Sequence, residues 1–367
     1  MKYYIIAGEA SGDLHGANLI KALFQHDPHA KIRCWGGEKM EAAGGELVKH
    51  YRDLAFMGFL EVLINLKTIL GNIAFCKKDI LKFDPDVIIY IDYPGFNMRI
   101  AQWAKKQGLK NHYYISPQIW AWKENRIKAI KRDLDALYVI LPFEKEYFNV
   151  NHNYPVEYVG HPLIQVVNDR KQRNETLDSL AIKKPVVALL PGSRKQEIDK
   201  MMPTFLGVVK HFPQFHFVIA GAPGIPPAWY EKFMQHTRIS LVHNQTYVLL
   251  KSAFAAIVTS GTATLETALF NVPQMVCYKS SFVSYAIAKR IVKLDYISLV
   301  NLILQDEVVK ELIQQDCSVS KISSELNRLS ENKVRQSILA QYQILENKLG
   351  DQNASQNVAK KIVGALG

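Results

Sequence analysis

Short unbroken apolar runs, separated by longer amphipathic stretches, set the rhythm of this chain. The runs fall at residues 3–7, 87–91, 112–115 and 136–141 in the first half, and at 186–190, 215–220, 255–258 and 274–277 in the second. None alternates apolar with polar, so each reads as a strand buried on both faces, the mark of a parallel sheet covered by helices. The expected fold class is therefore α/β, doubly wound. A polar, strand-free stretch at 168–184 follows Gly160, His161 and Pro162 and reads as a connection between domains. After it the pattern restarts. The opening YYIIAGEASGD and the later VVALLPGSRKQE share the layout of strand, small-residue loop and helix.

The economical reading is two Rossmann-like domains facing each other across a cleft, with ligands at the carboxyl ends of the strands. The expected boundaries are 1–165 and 166–345, and a length of 367 residues suits two domains. The tail from about 318 onward is helical and polar in pattern. Its last part, 346–367, is expected to pack on the N-terminal domain or on a partner subunit of a homodimer.

Composition narrows the function. Lys and Arg number 45 against 34 Asp and Glu, a formal charge of +11 that points to phosphate-bearing ligands or an anionic membrane surface. A nucleic-acid partner is not expected, because no zinc spacing, RGG run or basic-region helix appears. Cys34, Cys76, Cys277 and Cys317 are scattered without a CxxC pair, and they read as reduced, buried thiols of a cytosolic protein, not as metal ligands. The apolar run 3–7 is too short for a signal peptide, and no clean apolar stretch reaches transmembrane length.

Several motifs lie where predicted strands end. SGTATLE follows the run 255–258, and its small residues Ser260, Gly261 and Thr262 lead into a helix whose free N–H groups would stabilise an anion. Glu266, in the first turns, suits a sugar diol; the alternative is a well-capped helix that binds nothing. LLPGSRKQEI brings Gly192, Ser193 and Arg194 to another strand–helix junction, where Arg194 either forks onto phosphate oxygens or is merely solvated. In DYPGFN, Asp92 directly follows the run 87–91 and is either a general base raised by burial or the organiser of the turn that follows. GEASGD lacks the spacing of dinucleotide and P-loop sites. Its small residues either admit a substrate or form a tight turn with Asp13 capping the helix. In SPQIWAWK, Trp120 and Trp122 either stack on a sugar or fill core, and core filling is expected for at least one of them. Residues 56–83 crowd apolar side chains, among them Phe59, Leu63, Leu66, Ile69 and Leu70, around Lys77, Lys78 and Lys82; this is either core or a surface for an acyl chain or membrane interface. The basic amphipathic stretch 279–293 offers a second such face.

Together the motifs resemble the lipid-A-disaccharide synthases, inverting glycosyltransferases of the two-domain glycosyltransferase-B architecture. GEASGD, DYPGFN, SPQIWAW, LPFE, VGHP, LLPGSR, SGTATLE and SLVNL fall in the family's order over nearly the whole chain. The resemblance implies transfer of 2,3-diacylglucosamine from its UDP donor to 2,3-diacylglucosamine 1-phosphate. The product would be the β-1,6-linked disaccharide phosphate of lipid A, with UDP released. It implies that Asp92 is the catalytic carboxylate and that Arg194, with Gly192, Ser193 and the Ser260–Gly261–Thr262 turn, holds the UDP phosphates. Glu266 would hold the ribose, and Asn301 would line the same pocket. Ser11, Gly12 and Asn97 are expected on the acceptor side of the cleft. No metal or other cofactor is implied. Two positions depart from the family pattern: Gly95, often a second Asp, and Val300, usually Pro.

Both substrates carry acyl chains and phosphate, so the enzyme is expected in the cytoplasm, docked peripherally on the inner face of the inner membrane. Replacing Leu63 and Ile69 by Glu is expected to reduce liposome binding and turnover. The alternative is another UDP-N-acetylglucosamine-using enzyme of the same architecture, a glycosyltransferase or a 2-epimerase.

Overall fold

The computed structural model describes residues 1–53, 66–177, 182–235, 238–281, 285, 290 and 294–367. It divides into two compact units, one formed by Met1–Pro162 with Gln352–Gly367 and the other by Leu163–Asp351.

In the first unit, β1 (Lys2–Ala7), β2 (Lys31–Gly36), β3 (Glu46–His50), β4 (Val87–Ile91), β5 (Asn111–Tyr114), β6 (Ala136–Val139) and β7 (Glu157–Tyr158) form one parallel sheet in the order β3-β2-β1-β4-β5-β6-β7. Helices α1 (Ala10–His26), α2 (Glu38–Ala42), α3 (Leu66–Phe83), α4 (Pro94–Lys106), α5 (Ile127–Asp133) and α6 (Pro142–Glu146) connect them. Tyr3 through Ala7 are each 0% exposed, which is why this strand reads as unbroken apolar. Tyr3, Ile5 and Ala7 pack against Ile20 and Leu23 of α1 on one face, while Tyr4 and Ile6 pack with Ile80 of α3 and Ile100 of α4 on the other.

The second unit opens with α7 (Pro162–Lys171), whose first residue is the last of the first unit. Its sheet holds β8 (Val186–Leu190), β9 (His216–Gly221), β10 (Ile239–His243), β11 (Ala253–Thr259), β12 (Gln274–Tyr278) and β13 (Lys310–Ile313), all parallel, in the order β10-β9-β8-β11-β12-β13. The helices are α8 (Lys195–Val209), α9 (Thr246–Ser252), α10 (Thr262–Leu269), α11 (Leu299–Leu304), α12 (Val319–Ser330) and α13 (Asn332–Leu349). The chain then returns to the first unit, where α14 (Ala354–Leu366) packs on α1 through Val358 and Ile362.

Several boundaries differ from the sequence expectation. The chain passes between units after Pro162 and again after Asp351, so all of α13 belongs to the second unit. Residues 168–171, expected in the connection, finish α7, which starts on a proline whose missing N–H costs nothing at that position. Strands β2, β3, β7, β10 and β13 have no counterpart among the predicted runs. They lie toward the sheet margins, where sequences such as ELVKH and KELI keep polar residues facing solvent.

Both sheets place their first strand beside their fourth, so the connections leave β1 and β4, or β8 and β11, in opposite directions. A crevice opens at the carboxyl ends of such strands. GEASGD follows β1, DYPGFN follows β4, LLPGSR ends β8 and SGTATLE follows β11.

Candidate active site

At the β1/β4 crevice of the first unit, Asp92 and Tyr93 take consecutive left-handed conformations, φ 45° and 51°, at non-glycine residues. Such strain persists only when surrounding contacts over-determine it. Here the Asp92 N–H donates to the Tyr114 carbonyl at 3.2 Å, while the Asp92 carbonyl accepts from the Tyr113 hydroxyl at 2.5 Å and from Asn97 Nδ2 at 2.7 Å. The main chain is thus held by three bonds. Burial raises the Asp92 carboxyl above its ordinary value, opposed only by the Tyr93 N–H. A carboxylate so placed favours taking up a proton, as a general base must.

Close packing requires both Gly8 and Gly12. A Cβ on Gly8 would lie 2.3 Å from the Tyr93 ring, and one on Gly12 would lie 3.1 Å from the Ala7 Cβ, so the first seats Tyr93 and the second seats α1 on β1. Asn97 is 0% exposed and donates its Nδ2 to the Asp92 turn, which makes it a positioning residue for that turn, while its Oδ1 is buried without a partner among the described residues. Ser11 stands exposed on the first turn of α1. Asp13 caps not its own helix but α2, accepting from the N–H groups of Gly37, Lys39 and Met40 at 2.7, 3.2 and 3.0 Å.

The SPQIWAW loop is anchored by Glu144 of LPFE. Its buried carboxylate accepts from Ser116 Oγ at 2.6 Å, Trp120 Nε1 at 3.0 Å, Leu141 N at 2.9 Å and Ile140 N at 3.2 Å. Trp120 fills space against Phe143, ring centroids 4.9 Å apart, while Trp122 is 44% exposed.

In the second unit Gly192 has φ 117°, and a Cβ there would lie 2.8 Å from Glu197 Oε2. That carboxylate accepts from the Ser193 N–H at 3.2 Å, and its other oxygen lies 3.4 Å from Arg194 Nη1. Glu197 therefore sits at the N-terminus of α8, where a bound anion would be stabilised. Arg194 is 60% exposed beside it. Gly261 has φ 151°, a glycine conformation, and α10 starts directly after it, leaving first-turn N–H groups without intrahelical partners. Ser260 spends its hydroxyl on the Ile297 carbonyl at 2.9 Å. Burial raises the Glu266 carboxyl, and the Tyr247 hydroxyl donates to Oε1 at 2.6 Å.

Asn301 departs from the expectation. It is 0% exposed and fully engaged: Nδ2 donates to Val309 O and Glu311 Oε1 at 2.8 and 2.9 Å, and Oδ1 accepts from Val308 N and Val309 N, both at 3.0 Å. Its part is to fold the 305–309 loop, and it does not line the pocket.

The expected lipid-facing residues divide. Phe59, Leu63 and the Leu66 side chain lie outside the described residues. Ile69 packs on the core with Ile73, Cys76 and Ile80, whereas Leu70, Phe75 and Leu81 are 54%, 48% and 56% exposed on the other side of α3. Asp79 fixes that orientation by accepting from the Tyr4 hydroxyl at 2.7 Å and pairing with Arg33 at 3.0 Å. Most of 279–293 also lies outside the described residues; Lys279 donates to Thr204 at 2.7 Å. The four cysteines are free and buried. Among the described residues no helix is long and apolar enough to cross a membrane, and no three His, Cys, Asp or Glu side chains form a metal-binding group.

Comparison with solved structures places the fold. The Neisseria meningitidis UDP-GlcNAc 2-epimerase bound to UDP-GlcNAc matches with a TM-score of 0.72 over 99% of this chain and 100% of its own, at 14% identity. The glycosyltransferase of kitacinnamycin matches at 0.67 over 98% of each chain, at 12% identity. These share the glycosyltransferase-B fold and nothing finer. Sequence comparison is more specific. The lipid-A-disaccharide synthase of Coxiella burnetii (strain CbuK_Q154) is 38% identical over 365 residues, covering 98% of this chain and 96% of that protein. The synthase of Geobacter metallireducens is 36% identical over 372 residues, covering 99% and 97%. The family described as lipid-A-disaccharide synthetase matches residues 3–363. With that match spanning both sheets and every motif above, the chain belongs to the lipid-A-disaccharide synthetase family of glycosyltransferases.

Proposed function

We propose that this glycosyltransferase moves 2,3-diacylglucosamine from its UDP donor to the 6-hydroxyl of 2,3-diacylglucosamine 1-phosphate. Asp92 takes the hydroxyl proton as O6 attacks the donor C1. The C1–O bond to the β-phosphate breaks, its electron pair leaves with UDP, and one displacement inverts the anomeric centre. The observation that carries the reading is Asp92 itself, a desolvated carboxylate at a sheet crevice with its main chain pinned by Tyr113, Tyr114 and Asn97.

The β8/β11 crevice is the donor's. Arg194 and the N–H groups around Ser193 and Thr262 neutralise the diphosphate as charge develops on it, and Glu266, oriented by Tyr247, accepts from the ribose hydroxyls. Glu197 yields its bond to Ser193 when the diphosphate arrives, because two anions would not share one helix terminus. The exposed side of α3, where Leu70, Phe75 and Leu81 alternate with Lys67, Lys78 and Lys82, supports docking on an anionic membrane surface. Ile69, turned inward, takes no part.

Disaccharide formation from radiolabelled donor, wild type against Asp92→Ala, tests the reading. Product from the wild type and little from the variant supports it; no product from the wild type ends it.

A further inference from the structure

Beside the Asp92 turn, α4, α5 and the turn before α5 line an open surface cavity of about 300 Å³, with Gly95, Arg99, Gln102, Arg126, Arg132 and Asp133 among its walls. That volume is at the low end for a small-molecule site, enough for a sugar phosphate head group and too small for acyl chains as well.

Three guanidinium groups meet one carboxylate there. Arg132 is committed, holding Asp133 through Nε and Nη2 at 2.7 Å each. Arg99 and Arg126 have no carboxylate partner among the described residues. Arg126 instead lies 5.7 Å from the Trp122 ring, over which Lys123 Nζ also sits at 4.1 Å, so two cations crowd one indole. Burial and Arg126 together lower the Lys123 ammonium, as expected where like charges gather without an acid. The N-terminus of α4 adds to the field. Pro94 has no N–H and the Phe96 and Asn97 N–H groups turn back to the Tyr93 carbonyl, leaving the Gly95 amide at the cavity. Pro94, also lining it, is two residues from Asp92, so the cavity starts within about 7 Å of the base along the chain.

We infer that this cavity holds the phosphomonoester of the acceptor glycolipid, with Arg99 and Arg126 as its ligands and Arg132 kept in place by Asp133. In a glucosamine 1-phosphate C1 and C5 both flank the ring oxygen, so the phosphate on C1 and the 6-hydroxyl carried from C5 lie along the same edge of the sugar ring, a short reach apart. A phosphate between α4 and α5 would therefore hold the hydroxyl toward Asp92 and make the pair of arginines determinants of acceptor specificity. The inference rests on the transfer reaction proposed above.

The test compares kcat/KM for 2,3-diacylglucosamine 1-phosphate with that for the same lipid lacking phosphate, in the wild type and in Arg99→Gln/Arg126→Gln. The ratio is expected to fall by about tenfold or more in the double variant, the worth of charge-assisted hydrogen bonds to one phosphate. Inorganic phosphate should compete with the acceptor in the wild type and less in the variant. Arg126→Lys should recover part of the ratio, which a general folding defect would not allow. An unchanged ratio in an active variant overturns the inference and leaves the transfer reaction standing, whereas no disaccharide from the wild type with either acceptor overturns both. Lost binding to phosphatidylglycerol vesicles with the ratio intact assigns the arginines to lipid head groups and also overturns it.

Discussion

The crevices at β4 and at β8 lie on the same topology and are prepared in opposite ways. At β4 the proposed functional group is a half-buried carboxylate on a strained, non-glycine turn, with its main chain held by buried Asn97 and two tyrosines. At β8 the groups are glycine-permitted loops, an exposed arginine and helix N–H groups. A base gains from desolvation, which raises its affinity for a proton. The anion cradle proposed for β8 must stay open to receive a large charged ligand, which fits its donors lying near the surface with Glu197 in their midst. The first crevice stores cost to make reactivity; the second keeps capacity in reserve.

The sharpest way to break that contrast is Asp92→Asn. We expect turnover to fall by about 10³-fold, within the range for removing a general base, measured as initial rate of disaccharide formation. The same variant tests the stored cost. Because burial raises the Asp92 carboxyl above its unfolded value, the group contributes stability below the unfolded value and loses it as pH rises through the folded one. At neutral pH its charge is a cost, so Asp92→Asn should melt no lower than the wild type at pH 7, with its relative advantage shrinking toward pH 4. A clearly lower Tm at pH 7 would show that Asp92 holds the fold. The wild-type kcat/KM should also rise with pH through a midpoint above the ordinary aspartate value of about 3.9.

Next in size is Arg194→Ala. Turnover is expected to fall by about 10²-fold as the departing UDP loses its cation, with the melting temperature unmoved because the side chain is 60% exposed. Near-normal rates would make the residue a solvated cap of α8.

Asn301→Ala separates pocket from scaffold in the second unit. It strands two N–H groups and the Glu311 network, so a loss of about 2–3 kcal/mol is expected, seen as a Tm lower by several degrees, with the donor KM shifted less than threefold. An intact Tm with a large donor KM shift would return Asn301 to the pocket. The smallest effect is expected from Leu70→Glu with Leu81→Glu: a several-fold loss of binding to anionic vesicles at unchanged Tm, since both side chains are more than half exposed.

The buried strands and the loops at their ends were legible because a parallel strand covered on both faces must be apolar throughout, as Tyr3 to Ala7 and Val87 to Ile91 are. Marginal strands such as Glu46–His50 kept a solvent face and no such signature. The strand-end placement of Asp92 and Arg194 was legible for a related reason, since Asp92 directly follows an apolar run and Arg194 comes four residues after one, in the loop that leaves the sheet at its carboxyl end.

Sequence alone therefore determined the fold class, the loops that leave the sheets at their strand ends and the charge each brings. Tertiary structure decided which polar residues remain available. Asn97 and Asn301 look like ligand contacts in their motifs, yet each is 0% exposed and donates its Nδ2 to the main chain. It also decided that Ile69 turns inward while Leu70 turns out, and that arginines at 99 and 126 share a cavity. Those outcomes depend on which residues from distant segments meet, and spacing along one strand of sequence carries no record of that.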